Sequence, residues 1–165
     1  MTTDTASPKI SRNLLAHLLM FAVVMLWGAT FVLVKKAIAE IAHRKGALAL
    51  VDGYQAAGQI PVDVKALGVD FYCAGGLKWL LGGTGVAFLY ASPQLTPHLE
   101  PEATGWFAHR EQFRFDPRSL EFHADARRFE AGTPPLMPVY AQLGGLEIGE
   151  EIGSAEIRRR TMAPT

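Results

Sequence analysis

The sequence predicts an α/β fold with an incomplete, mostly parallel sheet, preceded by one membrane-spanning helix. A short apolar run at 47–51 and a second strand pattern at 70–73 flank a stretch with helical spacing, the order expected of parallel strands joined by a crossover. A 21-residue stretch from Leu14 to Val34 carries no formal charge. Helical spacing returns over 135–149 and 154–160.

The 165 residues suffice for one ordinary domain, and 16 basic against 16 acidic side chains give no net charge to draw the chain to nucleic acid. The single cysteine, Cys73, excludes an internal disulfide framework, and its place in a strand pattern makes it a small buried hydrophobe.

Residues 1–13 are polar and read as a disordered tail. The uncharged run 14–34, followed by Lys35 and Lys36, is long enough to cross a bilayer, so a transmembrane helix is expected over 14–36 with the membrane contacted through residues 14–34. A signal peptide would have a shorter apolar region and a small-residue cleavage site, and a core helix apolar all round would need a large surrounding domain. More basic residues stand after the span than before it. The expectation is a single-pass membrane protein with residues 37–165 on the cytoplasmic side.

The run 47–51 enters from Gly46 and leaves through Asp52 and Gly53, which reads as a buried parallel strand ending in a polar turn. Asp52 therefore lies at a carboxyl edge, where open α/β sheets bind ligands. After Pro61 and a helical pattern over 62–67, the second strand runs into Ala74-Gly75-Gly76-Leu77-Lys78 and brings Lys78 to the same edge. A carboxylate beside a pyridine nitrogen favours its protonated form, and a desolvated lysine amine is a nucleophile. The plainer reading makes Asp52 a turn residue and Lys78 a solvated loop charge.

The next glycines, Gly82, Gly83 and Gly85, precede an apolar run over 86–90 and read as a turn and third strand returning beside the lysine strand. A nucleotide loop is excluded because Trp79, not serine or threonine, follows the lysine. Three prolines break 93–101 into an irregular connection. Within 127–134, Gly132 to Pro135 can cap the next helix, with Thr133 as N-cap. Leu136, Val139, Tyr140, Leu143 and Leu146 then share one helix face.

The VDGYQ segment at 51–55, the GGLKW segment at 75–79 and the RFEAGT segment at 128–133 resemble the class V aminotransferases, a family that includes cysteine desulfurases, kynureninases and isopenicillin-epimerase-like proteins. The resemblance covers about residues 38–165 and implies a partial fold-type I domain that uses pyridoxal 5′-phosphate on an amino-acid substrate. It implies that Asp52 pairs with the pyridine nitrogen, Gln55 contacts the ring's phenolic oxygen, and Lys78 forms the Schiff base. Thr133 is implied near the cofactor phosphate of a second subunit, hence a homodimer. No metal site is implied.

Residues 14–38, with LWGATFVLVKKAI at 26–38, resemble the first membrane helix of EamA-type drug/metabolite transporters. Taken together, the two resemblances suggest a transferase fragment fused without a linker to a membrane helix. The N-terminal half and C-terminal domain are expected to be missing and the chain to be inactive alone. The alternative is a non-catalytic membrane-anchored remnant or a transporter fragment.

Overall fold

The computed structural model describes residues 36–163. The expected tail, residues 1–13, and residues 14–35 of the expected span 14–36 lie outside them. Among the described residues no helix is long and apolar enough to cross a membrane.

Three strands form one sheet in the order β1 (Leu50–Asp52), β2 (Phe71–Gly75), β3 (Ala87–Ala91). β1 and β2 run parallel, with Asp52 opposite Cys73, whereas β3 returns antiparallel to β2. The sheet is therefore mixed rather than mostly parallel. Gly76 to Gly85 is too short to make a crossover, so the third strand must reverse.

A helix over 36–44, α1, precedes β1, and α2 (Val64–Leu67) joins β1 to β2. Asp63 caps α2 by accepting the Lys65 and Ala66 amides at 2.9 and 3.0 Å, and Gly68 closes it in the left-handed conformation. The core lies between these helices and one sheet face: Ala39, Ala49, Leu67, Val69, Tyr72 and Ala74 are buried together. Asp70 ties the layers together, because its Oδ2 accepts the Ala49 amide at 2.7 Å and meets His43 Nε2 at 2.8 Å.

The register places Leu50, Asp52, Cys73 and Leu89 on the opposite face. That face is only partly covered. Phe71 meets Phe129 edge-on at 6.0 Å, while Leu50 and Leu89 are 62% and 42% exposed. The expected strand over 47–51 is instead the short edge strand Leu50–Asp52, with one open face rather than burial on both sides.

Beyond β3 the chain makes short 3-10 turns at Thr96–His98, Trp106–Ala108, Gln112–Arg114 and Ala126–Phe129. The last is held by Arg128, whose guanidinium donates to the carbonyls of Thr96, Leu99 and His123. The C-terminal helices are α3 (Leu136–Ile152) and α4 (Ser154–Thr161), separated at Gly153. Pro135, not Thr133, occupies the N-cap of α3 and makes no side-chain cap bond. The buried residues of α3 are Gln142 and Gly145, whereas Leu136, Tyr140 and Leu143 are exposed. The shared apolar stripe of the helix is thus not its buried face, because the buried face meets backbone rather than a hydrophobic core.

Candidate functional site

Parallel pairing of β1 and β2 makes both strands end at one edge, and the site begins there. Asp52 is the last residue of β1 and is exposed. Its Oδ1 accepts the Tyr54 amide at 2.9 Å, an Asx turn that starts the loop carrying Gln55. The turn reading and the site reading of Asp52 are compatible, because Oδ2 has no hydrogen bond among the described residues.

β2 runs two residues past the level of Asp52 and then enters the turn that carries Lys78. The Lys78 side chain is exposed and has no ion pair or hydrogen bond among the described residues. Gln55 is likewise exposed. Asp52 closes β1, and Gln55 and Lys78 follow the carboxyl ends of the neighbouring parallel strands β1 and β2. Thr133 belongs to the extended stretch before α3, is exposed, and is joined to that edge by no hydrogen bond among the described residues.

Two tyrosines lock the strand ends against each other. A Cβ on Gly53 would overlap the Tyr72 ring, and one on Gly75 would overlap the Tyr54 ring. Each strand thus leaves a gap that the other's aromatic fills. Burial raises the Tyr72 pKa, with Cys73 and Asp52 adding to the effect, so its hydroxyl stays protonated, 3.4 Å from the Gly53 carbonyl.

The lysine turn itself lies between two supports. On one side Gly58, at φ +86°, approaches the Trp79 backbone so closely that a side chain would collide with it. On the other, Gln142 of α3 enters the concave side of the turn and donates from Nε2 to the Leu80 carbonyl at 2.9 Å. Gly145, one turn further along α3, lies against the backbone of Leu80 and Leu81. The packing roles of Tyr54, Tyr72, Gln142 and Arg128 are not predicted by the sequence pattern. The one available signal for Gln142 was the Gly144-Gly145 pair beside it, a hint that this stretch of helix approaches backbone.

This edge of the sheet thus carries a carboxylate with one oxygen free of hydrogen bonds among the described residues, an exposed lysine in the turn after β2, and an exposed carboxamide in the loop after β1. A sequence profile described as aminotransferase class V matches residues 20–164. The chain belongs to the class V aminotransferase family.

It is 47% identical over 123 residues to the uncharacterized aminotransferase YcbU of Bacillus subtilis, covering 74% of this chain and 32% of that protein. With the kynureninase of Pseudomonas fluorescens the identity is 34% over 131 residues, 79% of this chain and 31% of that one. The apo cysteine desulfurase of Thermococcus onnurineus NA1 superposes with a TM-score of 0.63 at 31% identity, over 75% of this chain and 30% of that one. A solved form of the lyase C-DES, with glycine covalently linked to its PLP cofactor, matches 69% of this chain and 29% of that one, at 32% identity and a TM-score of 0.56. The chain therefore spans about a third of the length of these curated relatives.

Pyridoxal 5′-phosphate is the cofactor that the family and its PLP-bound neighbours support. The family match begins at residue 20, inside the stretch read as transporter-like, and the likeness of 14–38 to a transporter helix finds no support.

Proposed function

We infer that this chain carries part of a pyridoxal-phosphate site of a class V aminotransferase-like enzyme acting on an amino acid. The observation that carries the reading is the parallel β1–β2 pair, which brings Asp52 and Lys78 to one sheet edge. Lys78 provides the amine that holds the cofactor covalently and carries a proton to or from the substrate carbon. Asp52 holds a proton on the ring nitrogen through its free carboxylate oxygen. Gln55 donates to the ring oxygen from the loop that the Asp52 turn begins. Pyridoxal phosphate, when bound, supplies the electron sink beside the substrate amine. Thr133 is read as a phosphate ligand offered to a second copy of the chain, which makes the complete site dimeric.

Titration of the full chain with pyridoxal phosphate, followed by its absorbance change, tests this reading. The parent chain should bind and Lys78→Ala should lose the covalent spectral change. Equal spectra from both would remove Lys78 from its role.

A second reading concerns residues 14–34, whose 21 uncharged side chains are long enough to anchor the domain in a membrane with the site on the cytoplasmic side. Alkaline extraction of expressing cells tests it. An anchored chain stays in the membrane pellet; one released while folded is not anchored.

A further inference from the structure

We propose that Gln142 is the positioning residue of the Lys78 turn, an inference that rests on the cofactor reading for its purpose but not for its geometry. Gln142 is 2% exposed, an unusual degree of burial for a carboxamide. Its Nε2 is satisfied by the Leu80 carbonyl, while Oε1 is buried and has no partner among the described residues. The Leu80 carbonyl fixes this orientation, because the flipped amide would set two acceptors against each other.

The turn is closed at its neck by the Gly82 amide donating to the Gly76 carbonyl at 2.8 Å, and within it the Leu81 amide donates to the Lys78 carbonyl at 3.1 Å. Gln142 Oε1 lies against both neck residues: a Cβ on either Gly76 or Gly82 would overlap it. One side chain therefore touches both arms of the neck and hydrogen-bonds the limb between them. Leu81 adopts the left-handed conformation at φ +57°, which a leucine does not favour by itself. Something must hold the turn in this shape. The glutamine fills its concave side, leaving Lys78 exposed.

The role follows from this placement. A free Gly-Gly-Leu-Lys-Trp loop would spread its lysine over many orientations, and capture of an aldehyde needs the amine in one of them. Gln142 removes that freedom from α3, a helix separated from the loop by more than fifty residues of sequence. It is a positioning residue because it acts on Lys78 only through the turn.

The test uses the full chain, Gln142→Met, which keeps length but has no amide, and Gly82→Ala, which presses on the carboxamide from the loop side. Amide hydrogen exchange is read over 77–82 against β2, and borohydride-fixed pyridoxal phosphate is read at Lys78 against Lys65 on α2. Each variant should speed exchange in the turn by about threefold to tenfold, the equivalent of one net hydrogen bond. The Lys78 adduct should slow by a similar factor, with Lys65 and β2 unchanged. Gly82→Ala should do less harm when combined with Gln142→Ala, because the space is then free.

Unchanged exchange over 77–82 in a folded Gln142→Met chain would overturn the proposal, as would Lys78 and Lys65 slowing together. If Lys78 of the parent chain takes no pyridoxal phosphate, the cofactor reading fails. The exchange result then judges Gln142 alone.

Discussion

Asp52 stands directly opposite Cys73 across the parallel β1–β2 pair, so one strand ends on the carboxylate at the level where the other has five residues left to reach Lys78. The acid and the amine share an edge because two strands run the same way. Asp52→Ala should therefore weaken pyridoxal phosphate by about 10- to 100-fold, the range of a charge-assisted hydrogen bond, in equilibrium dialysis. Asp52→Asn keeps an acceptor for the Tyr54 amide and should fold like the parent while losing comparable affinity. Equal affinity in Asp52→Asn and parent would remove the charge from the account.

The two tyrosines make a second, purely structural prediction. Gly75→Ala sets a methyl group into the Tyr54 ring and should destabilise the domain by about 1–3 kcal/mol, as overpacking does. Tyr54→Ala should recover much of that loss in the double variant. Denaturant midpoints of the four chains give the coupling, and simple additivity would show that the ring moves aside freely.

Arg128 is 6% exposed and serves the carbonyls of Thr96, Leu99 and His123, all in the long connection between β3 and α3. Arg128→Ala leaves those acceptors without their donor and should cost about 3 kcal/mol or more. Arg128→Lys should restore part, since an ammonium offers its donors from one point rather than a fork. A denaturation curve for Arg128→Ala within experimental error of the parent would show that the connection 93–130 is held by other contacts.

Acid and alkali should act on different parts of the fold. Hydrogen bonds from Arg159 and Arg160 hold the Glu156 carboxyl down to about 2. A depressed carboxylate stabilises above its unfolded value, about 4.3, and the stabilisation is lost as pH falls toward about 2. The amides of α4 should lose exchange protection over that interval, and Glu156→Gln should remove the pH dependence. Tyr72 has the opposite sign: burial raises its pKa, so its contribution is complete below about 10 and lost as pH climbs through the higher folded value. Tyr72→Phe should blunt the alkaline loss of stability. The same alkaline slope in both chains would assign it to other groups.

The parallel β1–β2 pair and the turns that follow it are legible in the sequence because apolar runs, a crossover helix and glycine turns are local signals. The shortness of 76–85 already implied a returning third strand, though not how much it would dilute the parallel character of the sheet. The inward face of α3 was not legible. Its stripe of Leu136, Tyr140 and Leu143 looks like a core face, yet the helix buries Gln142 and Gly145 against a turn sixty residues away in sequence. Periodicity reports where apolar side chains recur, whereas a contact between a carboxamide and backbone leaves no period to find. Arg128 was hidden for the same reason, since its partners are carbonyls that any residues could supply.

Covalent mapping decides whether Lys78 is the lysine this fold offers to pyridoxal 5′-phosphate. The full chain is incubated with the cofactor at low stoichiometry, reduced with borohydride, digested, and the modified peptide sequenced. The account predicts one dominant adduct on Lys78, lost in Lys78→Ala and diminished in Asp52→Ala. Modification spread evenly over Lys65, Lys78 and the other lysines, or an undiminished adduct elsewhere in Lys78→Ala, would contradict it.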